Sequence, residues 1–269
     1  MKTTVTAEEI SRYRDQGYLI IEDLLSPEEL EALKGAVTTT VDQMGNRKLV
    51  GEGNEQFQYD REENPDTTFL QKINLWKSND TVSAFVRNPE VGRMVCDLAG
   101  VDSVRLWHDQ TLQKLPWANP TSWHLDVPNW SFHSRDVLSI WIALSDSTVT
   151  NGCMWFVPGT HKTAEFERNA EFSTQVGALF DIYPEWHGLD AVPIELKAGS
   201  ASIHNGLLAH GAGVNMTQNP RQAMVAIYMP DGVTFNGIQN ILSAEQMEAL
   251  KVGDRFNDDE QNPVVWSRE

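Results

Sequence analysis

Short strand-like runs, separated by turn residues, fill most of the chain after Gly100. Each run is rich in β-branched or aromatic residues and is bounded by Gly, Pro, Asn or Asp. The runs cover residues 104–115, 137–144, 153–157, 194–196, 201–204 and 222–229. Many short strands with frequent turns are typical of an antiparallel sandwich or barrel. The sequence therefore predicts a mainly β fold with flanking helices, built around a double-stranded β-helix, the jelly roll of cupin-like proteins.

The first hundred residues carry helix-start signals instead. Thr6 and Glu9 have the spacing of a capping box, in which two side chains bond the free backbone N–H groups of the first turn. Ser26 followed by Pro27 predicts a second helix, because proline suits the first helical position. The Asn-Pro pair at 88–89 predicts a third helix. We expect these helices to support the β core.

The length of 269 residues and the apolar content of 41% fit one globular domain. We expect a helical buttress (residues 1–100), a jelly-roll core (101–235), and a C-terminal helix and tail (236–269). Residues 44–68 are polar and acid-rich, which predicts either a surface loop or a flap that orders over a substrate. Residues 163–190 form a long insertion between predicted strands.

The formal net charge of −17 argues against whole classes of partner. Nucleic acids and anionic membranes attract positive protein surfaces, so neither is expected to bind. The sequence has no apolar run long enough for a membrane span and no signal peptide, and its two cysteines lie among apolar residues, as core thiols do. We therefore expect a cytoplasmic protein that acts on a small molecule, and the oligomeric state stays open.

His124 and Asp126 form the first part of a candidate metal site. One residue separates them, so in an extended chain both side chains lie on the same face. On its own, such a pair also fits an ordinary surface strand. His210, expected in a loop after the run that ends at His204, adds a second imidazole. Two imidazoles and one carboxylate are the ligands of a non-haem Fe(II) site that keeps positions open for co-substrates.

Arg221 lies eleven residues after His210 and opens an apolar strand. A guanidinium in that position needs a partner, because an unpaired buried charge is costly. One candidate partner is a side chain among the 38 acidic residues. The other is the far carboxylate of a 2-oxo acid, which the guanidinium fork binds through two parallel hydrogen bonds. The metal-ligand set and this arginine together predict an oxygenase that uses Fe(II) and 2-oxoglutarate.

Further motifs accompany this site. They are Gly17-Tyr-Leu-Ile-Ile-Glu-Asp23, Trp123-His-Leu-Asp126, Ser139-Ile-Trp-Ile-Ala-Leu-Ser-Asp146, Asn151-Gly152, Pro158-Gly-Thr-His161 and His204-Asn-Gly-Leu-Leu-Ala-His210. With these motifs the chain resembles the phytanoyl-CoA dioxygenase family over nearly its whole length. The region around the H-x-D motif is similar to ectoine hydroxylases. The resemblance implies that His124, Asp126 and His210 bind iron and that Arg221 binds the distal carboxylate of 2-oxoglutarate.

The resemblance also implies that Trp141 and Gln110 line the co-substrate pocket. Alternation along the predicted strand independently places Trp141 on one face with Ser139 and Ala143, whose small side chains leave space beside the ring. The alternative for Trp141 is an ordinary core residue. Gln110 has an amide on an inward-facing position, and bound 2-oxoglutarate is one partner for it.

Four more side chains receive provisional roles. His204 is a candidate for orienting a metal ligand by a hydrogen bond. Trp130 and His133 follow the H-x-D motif closely and are candidates for substrate contact. His161 follows a turn and is expected to fix a loop by hydrogen bonding. Lys72, Lys77 and Arg87 are scattered and expected to face solvent, which disfavours a binding site for a coenzyme A phosphate.

The implied activity is a dioxygenase reaction that consumes 2-oxoglutarate and O2, hydroxylates an aliphatic C–H bond of a small or medium organic molecule, and releases succinate and CO2. Asp126 argues against halogenation, because halogenases have a small residue in place of that carboxylate. Desaturation, epimerisation and ring formation stay open as outcomes. Two other classes are a non-catalytic or 2-oxoglutarate-sensing jelly-roll protein, and an isomerase that uses the same metal ligands without O2.

Overall fold

The computed structural model describes residues 1–44, 69–170 and 175–268. The helices are α1 (Ala7–Gln16), α2 (Pro27–Met44), α3 (Asp80–Val86), α4 (Pro89–Ala99), α5 (Ala178–Ile182) and α6 (Ala244–Ala249). The strands are β1 (Tyr18–Ile21), β2 (Leu70–Ile73), β3 (Ser103–Lys114), β4 (Thr121–His124), β5 (Leu138–Ala143), β6 (Met154–Phe156), β7 (Val192–Ile194), β8 (Ala201–Asn205), β9 (His210–Ala212), β10 (Arg221–Pro230) and β11 (Val264–Ser267).

Two antiparallel sheets form the core. The larger has the strand order β1-β8-β5-β10-β3-β11, with β2 also paired to β3, and the smaller has the order β4-β9-β6-β7. Between β3 and β10 the chain passes back and forth between the sheets, so that β3, β5, β8 and β10 lie in one and β4, β6, β7 and β9 in the other. This winding is that of a double-stranded β-helix, and it confirms the predicted fold class.

Five of the predicted strands agree with the structure to within one residue at each end. This holds for β3, β5, β6, β8 and β10, whereas the run at 194–196 meets β7 only at Ile194. The prediction of a loop at His210 is wrong, because that residue begins β9. Helix α5 in the insertion, strand β2 and helix α3 were not predicted. Such short elements are stabilised by their neighbours more than by their own residue preferences.

Side chains on the large sheet alternate between two cores. Trp141 of β5 and Val225 of β10 point inward, into a cluster that also contains Phe156 of the small sheet. Ile140 of β5 points to the opposite side and packs in a second cluster with Met94 of α4. Each such buried apolar side chain contributes on the order of 1.5–3 kcal/mol. The helices therefore cover the outer face of the large sheet and leave its inner face for the site.

The helix starts agree with the sequence signals. Thr6 and Glu9 form the predicted capping box of α1, with the Thr6 backbone N–H donating to Glu9 Oε2 at 2.7 Å. Ser26 caps α2 in the same way, with its Oγ accepting from the Glu29 backbone N–H at 3.2 Å.

Residues 44–68, predicted as a loop or flap, lie outside the described residues apart from Met44, which ends α2. Among the helices of the described ranges, none combines the length and apolar character that a bilayer crossing requires.

Asp109 of β3 turns its carboxylate toward the helical side of the large sheet. The carboxylate accepts hydrogen bonds from the backbone N–H groups of Leu75 (3.1 Å) and Trp76 (3.2 Å), which belong to a short 3-10 turn. The backbone carbonyl oxygen of Asp109 accepts a hydrogen bond from the Asn74 backbone N–H at 2.8 Å. Burial raises the pKa of this carboxyl to about 7. Asp109 therefore fastens the segment between β2 and α3 to the sheet while its own charged form is disfavoured.

Asp109→Asn is expected to change how stability depends on pH. Because the pKa in the folded protein is raised from 3.8 to about 7, the folded chain keeps a proton that the unfolded chain has lost between these values. The contribution of Asp109 to stability is therefore greatest at low pH and decreases as pH rises through that window. Asparagine cannot ionise, so the free energy of unfolding of the variant, relative to wild type, should increase from pH 5.5 to pH 8. Urea denaturation at both pH values tests this, and an unchanged difference contradicts it.

Candidate metal site

Strand pairing brings His124 and His210 together. His124 ends β4, His210 begins β9, and the two residues are direct partners in the antiparallel register. Their ring centroids lie 4.1 Å apart. The small sheet thus joins two residues that are far apart in the sequence.

Asp126 reaches the same point by a turn. The sequence predicted an extended chain from His124 to Asp126, but β4 ends at His124 and Asp126 has helical dihedral angles (φ −78°, ψ −52°) before a 3-10 turn. The turn brings Asp126 Oδ1 to 3.6 Å from His124 Nε2 and 3.7 Å from His210 Nε2. One ligand atom from each residue lies within 4.8 Å of the others. Ligand atoms that share one cation at about 2.1 Å sit roughly 3 Å apart on an octahedral face, so a small adjustment suits a metal.

Backbone carbonyl groups set the tautomer of both histidines. His124 Nδ1 lies 2.8 Å from the Ser122 carbonyl oxygen, and His210 Nδ1 lies 2.9 Å from that of Leu208. A carbonyl only accepts, so each Nδ1 carries a hydrogen; in a neutral ring with that tautomer, Nε2, which faces Asp126, is the nitrogen with the free lone pair. Burial, with the neighbouring His124, lowers the pKa of His210 to about 3. The donor set therefore fits a divalent iron ion.

Gly206 holds the turn that carries Asp126. Its carbonyl oxygen accepts from the backbone N–H groups of Asp126 (3.0 Å) and Val127 (3.1 Å). A Cβ at this position would lie 2.8 Å from Val127 Cγ2 and 3.0 Å from Trp130 Cζ3, so only glycine allows this approach. Trp130 is only 5% exposed and packs in the core beside the turn. Its contact with substrate stays a prediction.

His204 lies beside the carboxylate. Its Nε2 is 3.7 Å from Asp126 Oδ2, and its ring centroid is 5.0 Å from that of His210. In the sheet register it stands opposite Ser139 of β5. His204 Nδ1 and Ser139 Oγ are both buried and have no hydrogen-bond partner among the described residues. His204 thus lies next to a candidate ligand, and its role in orienting that ligand stays a prediction.

Arg221 is a buried cation with unused donors. It is 3% exposed, and its Nε and Nη1 atoms have no hydrogen-bond partner in the described part of the chain. Its guanidinium carbon lies 5.0 Å from the centre of the Trp141 ring. Burial lowers the pKa of Arg221 to about 10, which leaves it protonated at neutral pH. Within the described ranges, Arg221 forms no ion pair with an acidic side chain, which was the alternative. The orphaned N–H groups suit an anionic ligand.

Trp141 and Gln110 lie in one row of the large sheet. Val225 is the register partner of both, so all three side chains share the inner face. Trp141 Nε1 and the Oγ atom of the adjacent Ser202 are buried without partners among the described residues. Gln110 differs, because its Oε1 accepts a hydrogen bond from Gln71 Nε2. A ligand is therefore not required to satisfy that oxygen.

The other predicted residues are not among the three candidate metal ligands. His133 is exposed, and its ring stacks on Phe166 at 4.7 Å. His161 fixes a loop as predicted, with Nε2 3.1 Å from the Arg14 carbonyl oxygen. Lys72 was expected to face solvent, but it is only 8% exposed on the edge strand β2. That prediction is wrong because a strand that pairs with β3 was not recognised there.

Comparison with known proteins assigns the family. The model of the phytanoyl-CoA dioxygenase family matches residues 13–223. The chain belongs to the phytanoyl-CoA dioxygenase family. It is accordingly an oxidoreductase of the class of Fe(II)- and 2-oxoglutarate-dependent dioxygenases.

Individual relatives are diverse. A probable alpha-ketoglutarate-dependent hypophosphite dioxygenase of Stutzerimonas stutzeri is 27% identical, with 82% of this chain and 78% of the relative covered. An ectoine dioxygenase of Nocardia farcinica is 24% identical, with 88% and 80% covered. Among solved structures, the non-haem alpha-ketoglutarate-dependent carbocyclase SnoK from nogalamycin biosynthesis superimposes with a TM-score of 0.79 at 26% identity and 97% coverage of both chains. The relatives thus include proteins named for different reactions.

Sequence reasoning missed two residues that shape the site. Gly206 acts through its carbonyl oxygen and its missing Cβ, and Asn169 contacts the backbone of Leu125. The only signal for Gly206 was its position in the motif that ends at His210. Nothing local marks Asn169, since an asparagine in a polar insertion is ordinary.

Proposed function

We propose that this family member binds Fe(II) through His124, Asp126 and His210 and uses 2-oxoglutarate and O2 to hydroxylate an aliphatic C–H bond of a small or medium organic molecule, with release of succinate and CO2. The observation that carries this proposal is the convergence of two imidazole Nε2 atoms, whose rings are held through Nδ1, and one carboxylate oxygen at one point. Fe(II) bound there would supply the redox chemistry that couples oxidative decarboxylation of 2-oxoglutarate to oxidation of the substrate.

The three side chains hold the metal on one side only. Among the described residues, no fourth side chain joins this set of mutually close ligand atoms, so iron held here would keep positions open for co-substrates. The bonds from Nδ1 of His124 and His210 to backbone carbonyl groups keep the rings oriented before a metal arrives. The protein thus contributes a pre-arranged ligand set.

The far end of 2-oxoglutarate is assigned to Arg221. The guanidinium carries unused N–H donors and lies against the Trp141 ring, on the inner side of the large sheet. Its register partner is the fully buried Lys114, whose Nζ donates to the Asn119 carbonyl oxygen at 2.7 Å. Burial, together with Arg221, lowers the pKa of Lys114 to about 7. Two basic groups inside an acidic protein make this end of the core favourable for a dicarboxylate.

A second candidate is ring formation or epimerisation by the same centre. The likeness to the carbocyclase SnoK favours it, and the epimerase SnoN also superimposes, with a TM-score of 0.71 at 23% identity. Product mass separates the outcomes. Hydroxylation adds one oxygen atom, ring formation by C–H oxidation removes two hydrogen atoms, and epimerisation leaves the mass unchanged.

The test begins with binding and ends with turnover. Anaerobic calorimetry should detect Fe(II) binding and then binding of 2-oxoglutarate that depends on the metal. In the presence of O2, some members of a panel of small organic acids, amino acids and polycyclic compounds should stimulate the formation of succinate. Mass spectrometry then identifies the product of each active compound. Binding without any stimulated turnover would favour a sensor, and activity without O2 would favour an isomerase. Failure to bind Fe(II) or 2-oxoglutarate at all would refute the proposal.

A further inference from the structure

The strand that carries His124 lies at the edge of the small sheet. In the order β4-β9-β6-β7, β4 has a strand partner on one side only among the strands of the described ranges. An edge strand leaves alternate N–H and C=O groups unpaired and is less constrained than a central strand. The chain nevertheless places two of the three candidate ligands on this strand and the turn that follows it.

The described parts of the insertion, residues 163–170 and 175–190, satisfy this open edge. Asn169 Oδ1 accepts a hydrogen bond from the Leu125 backbone N–H at 3.2 Å, and Asn169 Nδ2 donates to the Leu125 carbonyl oxygen at 3.3 Å. Two residues earlier on the strand, the Trp123 backbone N–H donates to the Val176 carbonyl oxygen at 2.9 Å. The side-chain amide of Asn169 thus bonds Leu125 as a neighbouring strand would. Leu125 is the residue between His124 and Asp126.

The same insertion also contacts a side chain of β4. Phe180 of α5 packs edge-on against Trp123, with ring centroids 5.4 Å apart and an angle of 69° between the rings. Trp123 is the residue directly before His124. Asn129, in the turn after Asp126, adds a second donor to the Leu125 carbonyl oxygen at 3.0 Å. Contacts at the edge of β4, at the Trp123 side chain and in the turn after Asp126 therefore hold the segment that carries His124 and Asp126.

We infer that the insertion acts as a clamp on the metal ligands and that Asn169 is its positioning residue. The amide fixes the two peptide groups on either side of the Leu125 Cα and so sets the separation of the His124 and Asp126 ligand atoms before metal binds. Without it, Leu125 loses both bonds from Asn169, and the carboxylate has more freedom to leave the two imidazoles. This inference rests on the proposed function, because it assigns Asn169 a role in that same metal site.

Asn169→Ala is expected to weaken Fe(II) binding about tenfold, the effect typical of losing a group that orients a metal ligand. Anaerobic calorimetry measures the affinity, and the visible absorption of bound Co(II) reports the coordination geometry, which a purely structural role would not change. The matched control is Asn236→Ala. Asn236 also makes two side-chain bonds to backbone, donating to the Trp130 carbonyl oxygen and accepting from the Ile238 N–H, each at 3.0 Å. The control should keep the wild-type metal affinity and Co(II) spectrum.

The outcomes separate this inference from the proposed function. If the wild-type protein binds no Fe(II), the proposed function fails. If wild type binds tightly and Asn169→Ala binds equally well with the same Co(II) spectrum, the clamp is refuted. Should Asn169→Ala not fold, Asn169→Ser decides, because a single shorter hydroxyl cannot make both bonds to Leu125. A smaller loss of affinity in that variant supports the clamp, and wild-type affinity overturns it.

Discussion

Asp126→Ala is expected to lower the Fe(II) affinity more than about 100-fold and to abolish turnover of 2-oxoglutarate. Loss of a group that merely orients a ligand costs about 10- to 100-fold, so loss of a ligand itself should cost more. Asp126 is also the only anionic donor in the set, since His124 and His210 bind as neutral imidazoles. Anaerobic metal titration and succinate formation measure the two effects.

The control for this variant is Asp136→Ala. Asp136 is an exposed aspartate in the same region of the sequence, and its backbone N–H donates to Ser134 Oγ. Its removal changes the net charge by the same amount without touching the metal site, so metal affinity should stay near that of wild type. Tight Fe(II) binding by Asp126→Ala, with turnover preserved, would mean that the ligand set lies elsewhere.

Residue chemistry made the centre of the site predictable. Metal ligands come from few residue types, so the H-x-D pair and His210 were recognisable without knowledge of the fold. Arg221 was recognisable as a charged residue at the start of an apolar strand. The structure brings the three candidate ligands together, although through a turn at Asp126 that the sequence did not indicate. Residues that act through the backbone have no such signature. Gly206 and Asn169 became visible only from their contacts.

The same distinction holds for the fold. Strands β5 and β10 are strongly apolar, and β3 is a long run bounded by turn residues, so composition and alternation located them. Strand β9 (His210–Ala212) is only three residues long, and its central residue is a glycine. It forms because it pairs with β4 on one side and with β6 on the other. Such a strand is set by tertiary pairing, which no local pattern records. Its partner register nevertheless decides the position of His210 in the site.

Arg221→Met is expected to remove most of the affinity for 2-oxoglutarate while leaving Fe(II) binding unchanged. Methionine keeps an unbranched apolar stem beside Trp141 but lacks the charge and the N–H donors. A carboxylate that loses a buried charged partner typically forfeits about 2–5 kcal/mol, on the order of 30-fold to several thousand-fold in affinity. Calorimetry of the Fe(II)-loaded protein with 2-oxoglutarate measures this loss.

Two further measurements identify the cause. Arg221→Lys keeps the charge but not the planar fork, so its affinity for 2-oxoglutarate should fall between those of wild type and Arg221→Met. The thermal midpoint of the ligand-free protein should be no lower in Arg221→Met than in wild type, because the variant no longer buries a cation whose Nε and Nη1 are unpaired within the described ranges. Wild-type affinity in Arg221→Met would instead assign the carboxylate to another basic group, and Lys114, its register partner, would be the next to replace.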